Sequence, residues 1–269
     1  MFLESTVHLP ASLALLQGVF HAPDVQNELP RIVMRWLHLV GGITWIGLLY
    51  FFNVVNVPFQ KGIDADTKKK VNPSLLGLAL WYFRWGAVVT VLFGLGYYVM
   101  YILKPNVGNA EILGHADING KMLALVWFLI PIIFFFIEYL LIKKVPALTK
   151  DGRVWAVVAA ILFLAMTIVI LKWLDSGLTI GGDHLASNSS LSIGVGGAYG
   201  LVMLLNVWGI IWPNNKRILA ATAGTGPAAA PELARQAFIA SRTNAWLSLP
   251  MLLFMATSPR GDWVIFGGK

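Results

Sequence analysis

His38 is the residue with the clearest capacity for chemistry, because no other histidine lies within a long apolar segment. An ionisable side chain in the hydrocarbon core of a membrane is costly, and it usually faces a partner, a cofactor or water. Neutral imidazole is a common axial ligand of haem iron, and small residues such as Gly41 and Gly42 make room for a macrocycle. The pattern predicts either a metal ligand in a b-type haem site or a proton-transfer group beside a quinone. The alternative is a histidine that hydrogen-bonds a neighbouring helix, with the glycines serving close packing.

His115 and His184 are the predicted second ligands of a six-coordinate haem. Both lie in polar stretches next to the predicted ends of apolar segments, on the same side of the membrane as His38. The predicted cofactor-binding residues are therefore His38, Arg84, His115 and His184.

Arg84 lies about nine residues inside its apolar segment, where its guanidinium cannot lose its proton. One interpretation is a structural ion pair with Glu138, which lies in the following segment. The other is a clamp for an anion or a haem propionate, since the guanidinium fork matches a carboxylate.

A second polar group is predicted near the opposite ends of the helices. Asn206 precedes the end of one apolar segment, and Arg242 and Asn244 open the next. Together with Glu138 they are expected to form a structural network that satisfies helix-end carbonyls and one another.

The elements that position these residues are membrane helices. Of the 269 residues 57% are hydrophobic and 12% are charged, whereas a soluble domain carries about 25% charged residues. We therefore expect an all-α integral membrane bundle in the lipid bilayer, with about six transmembrane helices. Their predicted bounds are 31–57, 75–103, 121–142, 154–173, 194–212 and 244–257.

The predicted organisation is an N-terminal interfacial arm over 1–30, a membrane domain over 31–257 and a tail over 258–269. Pro58 and Pro213 are expected to end the first and fifth spans. The short sixth span is expected to extend a helix that begins near Glu232. The glycine- and serine-rich stretch 175–192 is expected to be flexible or ordered by a partner.

The distribution of charge predicts the topology. The net charge of +7 is concentrated in three loops between apolar segments, which indicates membrane orientation and not a nucleic-acid partner. The basic loops are expected to be cytoplasmic, with both termini periplasmic in a bacterial inner membrane. No signal peptide is evident. The absence of cysteine excludes disulfides, iron–sulfur clusters and covalently attached haem.

Four stretches resemble the membrane domain of the bacterial membrane-bound urate hydroxylases, the urate oxidase N-terminal domain family. They are WLHLVGGITWIGLLYFFN (36–53), RWGAVVT (84–90), NVWGIIWPNNKRIL (206–219) and ASRTNAWLSLPMLLFM (240–255). The resemblance implies urate oxidation with electrons delivered to cytochrome c. Such proteins typically carry a C-terminal cytochrome c domain, which we do not expect in this cysteine-free sequence. The expected partner is therefore either a separate cytochrome c, which would accept the electrons, or the other subunits of a larger membrane redox complex.

The leading functional hypothesis is therefore an oxidoreductase that uses a haem b at His38 in electron transport. The alternative is a non-catalytic accessory subunit of a respiratory or photosynthetic membrane complex. A third hypothesis is a small-anion transporter that uses Arg84.

Overall fold

The computed structural model describes residues 23–258 and 264–266. The predicted arm over 1–30 and tail over 258–269 lie largely outside the described residues. Seven helices account for most of the described chain. Their bounds are Glu28–Gly62 (α1), Ala65–Gly114 (α2), Gly120–Lys144 (α3), Pro146–Lys150 (α4), Gly152–Ser176 (α5), Asn188–Thr222 (α6) and Pro231–Ala256 (α7).

The prediction of an all-α membrane bundle is confirmed. Within the described part of the chain, five helices (α1, α2, α3, α5 and α6) are long and apolar enough to cross a membrane. The predicted sixth span occupies the second half of α7, a helix of 26 residues that begins at Pro231, next to Glu232.

Three helices continue through prolines near the predicted ends of their spans. The prolines are Pro58, Pro105 and Pro213, and each follows a π-helical stretch that ends two residues earlier: Phe51–Asn56, Val99–Leu103 and Val207–Ile211. Proline lacks an N–H group, and its ring collides with the carbonyl one α-helical turn before it. A π turn is wider, so that carbonyl lies elsewhere and the helix continues. The predictions that Pro58 and Pro213 end their spans are therefore wrong.

Neighbouring helices run antiparallel, so their connections collect at two ends of the bundle. We call the end with connections 63–64, 145–151 and 223–230 the basic end, and the end with 115–119 and 177–187 the histidine end. At the basic end the side-chain amides of Gln60 and Asn72 pair α1 with α2. At the histidine end Asn188 Nδ2 donates to Thr257 O at 2.7 Å and joins α6 to α7.

The stretch after α5 holds a small hairpin. Strands β1 (Thr179–Ile180) and β2 (Asp183–His184) pair in antiparallel register. Gly181 and Gly182 form the turn with φ of +62° and +95°, and two successive positive φ angles are the conformation that glycine favours.

Helix α6 is the central helix of the bundle, since 67% of its most apolar window is buried. Its small residues allow neighbouring helices to come close. Thus the Trp127 indole of α3 lies against Gly197 and donates from Nε1 to Gly194 O at 2.9 Å.

Candidate functional site

A cavity of about 870 Å³ lies among α1, α2, α6 and α7, towards the histidine end. Its volume falls within the range of small-molecule and cofactor sites. Aromatic, aliphatic and glycine residues line most of it, and two arginines lie at its outer part. His38 is the histidine in its wall.

The hydrogen bond of His38 determines which of its two ring nitrogens carries the proton in the neutral imidazole. Nδ1 lies 2.8 Å from the backbone oxygen of Thr90. A carbonyl oxygen only accepts, so Nδ1 carries the proton and Nε2 has a free lone pair in the neutral ring. Among the described residues nothing forms a hydrogen bond with Nε2. A backbone carbonyl on one ring nitrogen is the arrangement that orients the other nitrogen for a metal.

Glycines on both helices make this contact possible. A Cβ atom on Gly94 would lie 2.6 Å from Nδ1 of His38 and 2.7 Å from its Cε1. A Cβ on Gly41 would lie 2.8 Å from Thr90 Oγ1, whereas one on Gly42 would be in ordinary contact at 3.7 Å. Gly41 therefore serves helix packing, and Gly42 lines the cavity.

Arg31 and Arg35 share the His38 face of α1, because residues four and seven apart lie on one side of a helix. Both line the cavity. Arg31 lies 5.0 Å from the Tyr101 ring centroid and Arg35 lies 5.8 Å from that of Tyr97. Neither forms an ion pair within the described part. Neither arginine was predicted to be a site residue, although the spacing of both from His38 was the available signal.

The inner part of the cavity is aromatic and anchored by hydrogen bonds. Tyr50 Oη and Ser248 Oγ lie 2.9 Å apart and join α1 to α7. Tyr98 Oη donates to Ser190 O at 3.0 Å and joins α2 to α6. Trp45 is 1% exposed, and its Nε1 has no acceptor among the described residues. A bound molecule with an acceptor atom would satisfy this donor.

The structure does not bring His115 and His184 to His38. Both are exposed, and neither lines the cavity. His115 follows the end of α2 with φ of 48°, and Nδ1 of His184 lies 2.9 Å from Asp175 Oδ2. The described residues contain no group of three His, Cys, Asp or Glu residues suited to a metal.

Methionines are the other soft ligands beside the cavity. Met251 and Met255 of α7 line it. A methionine thioether is an axial haem ligand in some proteins, so Met251 and Met255 are candidate ligands in the cavity wall, whereas His115 and His184 lie outside it.

Arg84 does not pair with Glu138, which corrects the predicted ion pair. Its Cζ lies 3.7 Å from the centroid of the Trp212 ring and 5.8 Å from that of Trp208. Its Nε is buried without a hydrogen-bond partner in the described structure. Arg84 also does not line the cavity. It stacks on Trp212 of α6 instead.

Glu138, Asn206 and Asn244 meet in the core between α3, α6 and α7, and all three are 0% exposed. Asn206 Nδ2 lies 3.0 Å from Glu138 Oε2 and 3.0 Å from Asn244 Oδ1. Asn244 Nδ2 donates to Met203 O at 2.9 Å. Arg242 stays outside this network, with its Cζ 5.2 Å from the Phe238 ring centroid.

The family model described as urate oxidase N-terminal matches residues 59–259 of the chain. Arg84, Glu138, Asn206 and Asn244 lie within the match, and His38 lies before it. No curated protein and no solved structure matches the chain.

Proposed function

Since the chain belongs to the urate oxidase N-terminal family, we propose that it is a membrane oxidoreductase of the urate hydroxylase type. In this proposal the cavity holds a haem b through His38, and electrons leave the histidine end to a soluble cytochrome c. The observation that carries the proposal is the Nδ1 hydrogen bond of His38 to Thr90 O, which leaves Nε2 free beside the cavity.

The residues present fit a haem. Gly42 lines the cavity, Gly94 leaves room for the imidazole itself, and Met251 and Met255 in the cavity wall are the candidate second ligands. Arg31 and Arg35 are available to the two propionate carboxylates, because guanidinium groups pair well with carboxylates. A bound haem would supply one-electron redox chemistry.

The substrate in this proposal is urate, as the family description indicates. Hydroxylation of urate by water releases two electrons and two protons. Two molecules of oxidised cytochrome c would accept the electrons, one each.

The proposed location is the bacterial inner membrane, with the basic end in the cytoplasm and both termini in the periplasm. Support comes from the positive-inside rule. The cations at or next to the connections of the basic end are Lys61, Lys68, Lys69, Lys70, Lys143, Lys144, Lys150, Arg153, Lys216, Arg217 and Arg235.

The proposal is tested by mixing the purified protein with urate and oxidised cytochrome c and following cytochrome c reduction. We expect reduction that requires urate and that is lost in His38→Ala but kept in His115→Ala, since His115 lies outside the cavity. Reduction that is equal in wild type and His38→Ala would contradict the role of His38.

A non-catalytic accessory subunit is the second candidate, and it rests on the outer face of α1. Ile32, Trp36 and Ile43 are 51%, 60% and 74% exposed there. Lipid or a neighbouring membrane subunit would cover such a face. A partner that co-purifies in mild detergent, together with no urate-dependent electron transfer, would favour this candidate.

A further inference from the structure

The buried Glu138 carboxyl plays no part in the cavity chemistry, and its hydrogen bonding is incomplete among the described residues. Oε2 accepts from Asn206 Nδ2. Oε1 of Glu138 and Oδ1 of Asn206 are both buried, and neither has a partner in the described structure. Both unpaired atoms are oxygens, and they belong to the two side chains that already share one hydrogen bond.

The two N–H groups of the Asn206 amide are both in use. One donates to Glu138 Oε2 and the other to Asn244 Oδ1. The Nδ2 group of Asn244 donates to Met203 O and not to Glu138 Oε1 or Asn206 Oδ1. The unpaired oxygens therefore require a hydrogen or a cation from another source.

The absence of a counter-charge near Glu138 among the described residues also indicates that its carboxyl group needs a proton or a cation. An ionised carboxylate in a membrane core without a counter-charge is strongly unfavourable. Glu138 forms no ion pair within the described part of the chain. The charged side chains of the packed helices have other contacts: Lys143 with the Tyr139 ring, Arg242 with Phe238, and Arg84 with Trp212.

We infer that Glu138 is a proton-binding site in the membrane core, held as a neutral carboxylic acid in a cyclic pair with the Asn206 amide. The proton resides on Oε1 and is donated to Asn206 Oδ1, while Asn206 Nδ2 donates to Oε2. One proton thus satisfies both unpaired oxygens and removes the buried charge. Asn244 orients the amide by accepting its second N–H group.

This site is independent of a haem at His38. Glu138 lies on α3 beside Asn206 of α6, and neither residue lines the cavity. The proton can therefore be detected whether or not the protein carries a cofactor.

Infrared absorption of the purified protein at neutral pH tests the inference. We expect a C=O stretching band of a protonated carboxylic acid that moves to lower frequency in D₂O and disappears in Glu138→Gln. The matched control is Glu111→Gln, because Glu111 lies near the histidine end and accepts from Ile118 N. That variant should keep the band.

Thermal unfolding supplies a second readout. Glutamine reproduces both hydrogen bonds of a neutral acid, so Glu138→Gln should keep the Tm of the wild type, whereas Glu138→Leu should lower it. If neither variant folds, Asn206→Val keeps the acid and should move the wild-type band to higher frequency.

A bound alkali cation is the competing explanation, since oxygen ligands also suit Na⁺. It predicts no acid band, and a sodium-dependent rise in Tm that Glu138→Gln abolishes. Either result would overturn the proton site without affecting the test of urate oxidation.

Discussion

His38 shows how one backbone contact decides which chemistry a side chain can perform. Thr90 O fixes the proton on Nδ1 and leaves Nε2 as the only possible ligand atom. The contact requires α2 to lie close to α1, and Gly94 leaves room for the ring. A side chain at position 94 is therefore expected to displace the imidazole.

We predict that Gly94→Ala lowers haem affinity roughly 10- to 100-fold, the usual effect of disturbing the residues that orient a metal ligand. The measurement is haem content per protein after titration with haem. Gly47→Ala is the matched control, since Gly47 also lines the cavity but a Cβ there would meet nothing within 4 Å. Equal loss in both variants would contradict the specific role of Gly94.

The stacking of Arg84 on Trp212 leads to a second prediction. A guanidinium 3.7 Å from an indole centroid should contribute about 0.5–2 kcal/mol through cation–π attraction. A double-mutant cycle of Arg84→Leu and Trp212→Leu should show a coupling of that size in unfolding experiments.

The same cycle made with Glu138→Leu in place of Trp212→Leu should show no coupling, because no ion pair joins Glu138 to Arg84. Strong coupling of Arg84 to Glu138 and none to Trp212 would contradict the stacking and would support the ion pair predicted from the sequence.

At the residue level the sequence identified His38, because an isolated histidine in an apolar segment is visible without a structure. It could not identify the partner of Arg84, since hydropathy locates a residue along a span but not on a face of the helix. Asn206 was in the predicted polar network, and the structure shows that it is the amide that contacts Glu138.

Among the elements, the π-helical stretches explain why the predicted spans end before the helices do. Proline ends or kinks a regular α-helix. In α1, α2 and α6 a wide turn before the proline removes that constraint. Hydropathy alone carries no signal for such a turn, so the predicted end of α6 fell ten residues before Thr222.

The N-terminal cap of α2 gives a prediction about the stability of this helix. Asp64 accepts from the backbone N–H groups of Asp66 and Thr67, and hydrogen bonds, chiefly from the Thr67 side chain, lower the pKa of Asp64 to about 2. Because the pKa of Asp64 is lowered, its cap stabilises the fold fully above pH 3.8, the ordinary pKa of an aspartate. This stabilisation is lost as the pH falls through about 2.

We therefore expect Asp64→Ala to lower the Tm at neutral pH, and the difference from wild type to shrink between pH 3.8 and about 2. Asp66→Ala is the control, since the exposed Asp66 side chain forms one ion pair within the described residues, with Lys69 at 3.8 Å. A Tm difference that stays constant over this pH range would count against the cap.

For the whole molecule, composition and hydropathy were sufficient to predict a helical membrane bundle. Long apolar segments separated by short polar loops leave few other folds, because every backbone group must be satisfied inside the bilayer. The cavity was not predictable, since it arises where α1 and α2 stand apart from α6 and α7.

For the whole molecule we predict that the basic end of the bundle faces the cytoplasm and the histidine end faces the periplasm. The chain contains no cysteine, so single cysteines can be introduced without background. Lys69→Cys at the basic end should react with an impermeant thiol reagent only from the cytoplasm, and Asp183→Cys in the hairpin only from the periplasm. Labelling of both from one face would contradict the topology.

The most direct test of the central claim is the reduced-minus-oxidised absorbance spectrum of the purified protein and its His38→Ala variant. A haem held by His38 predicts a Soret band and an α-band for wild type, and loss of both bands in a His38→Ala variant that still inserts and folds. His184→Ala should keep the bands, because His184 is exposed and pairs with Asp175. A wild-type protein without haem after expression with ample haem, or a His38→Ala spectrum equal to wild type, would show that His38 does not hold a haem.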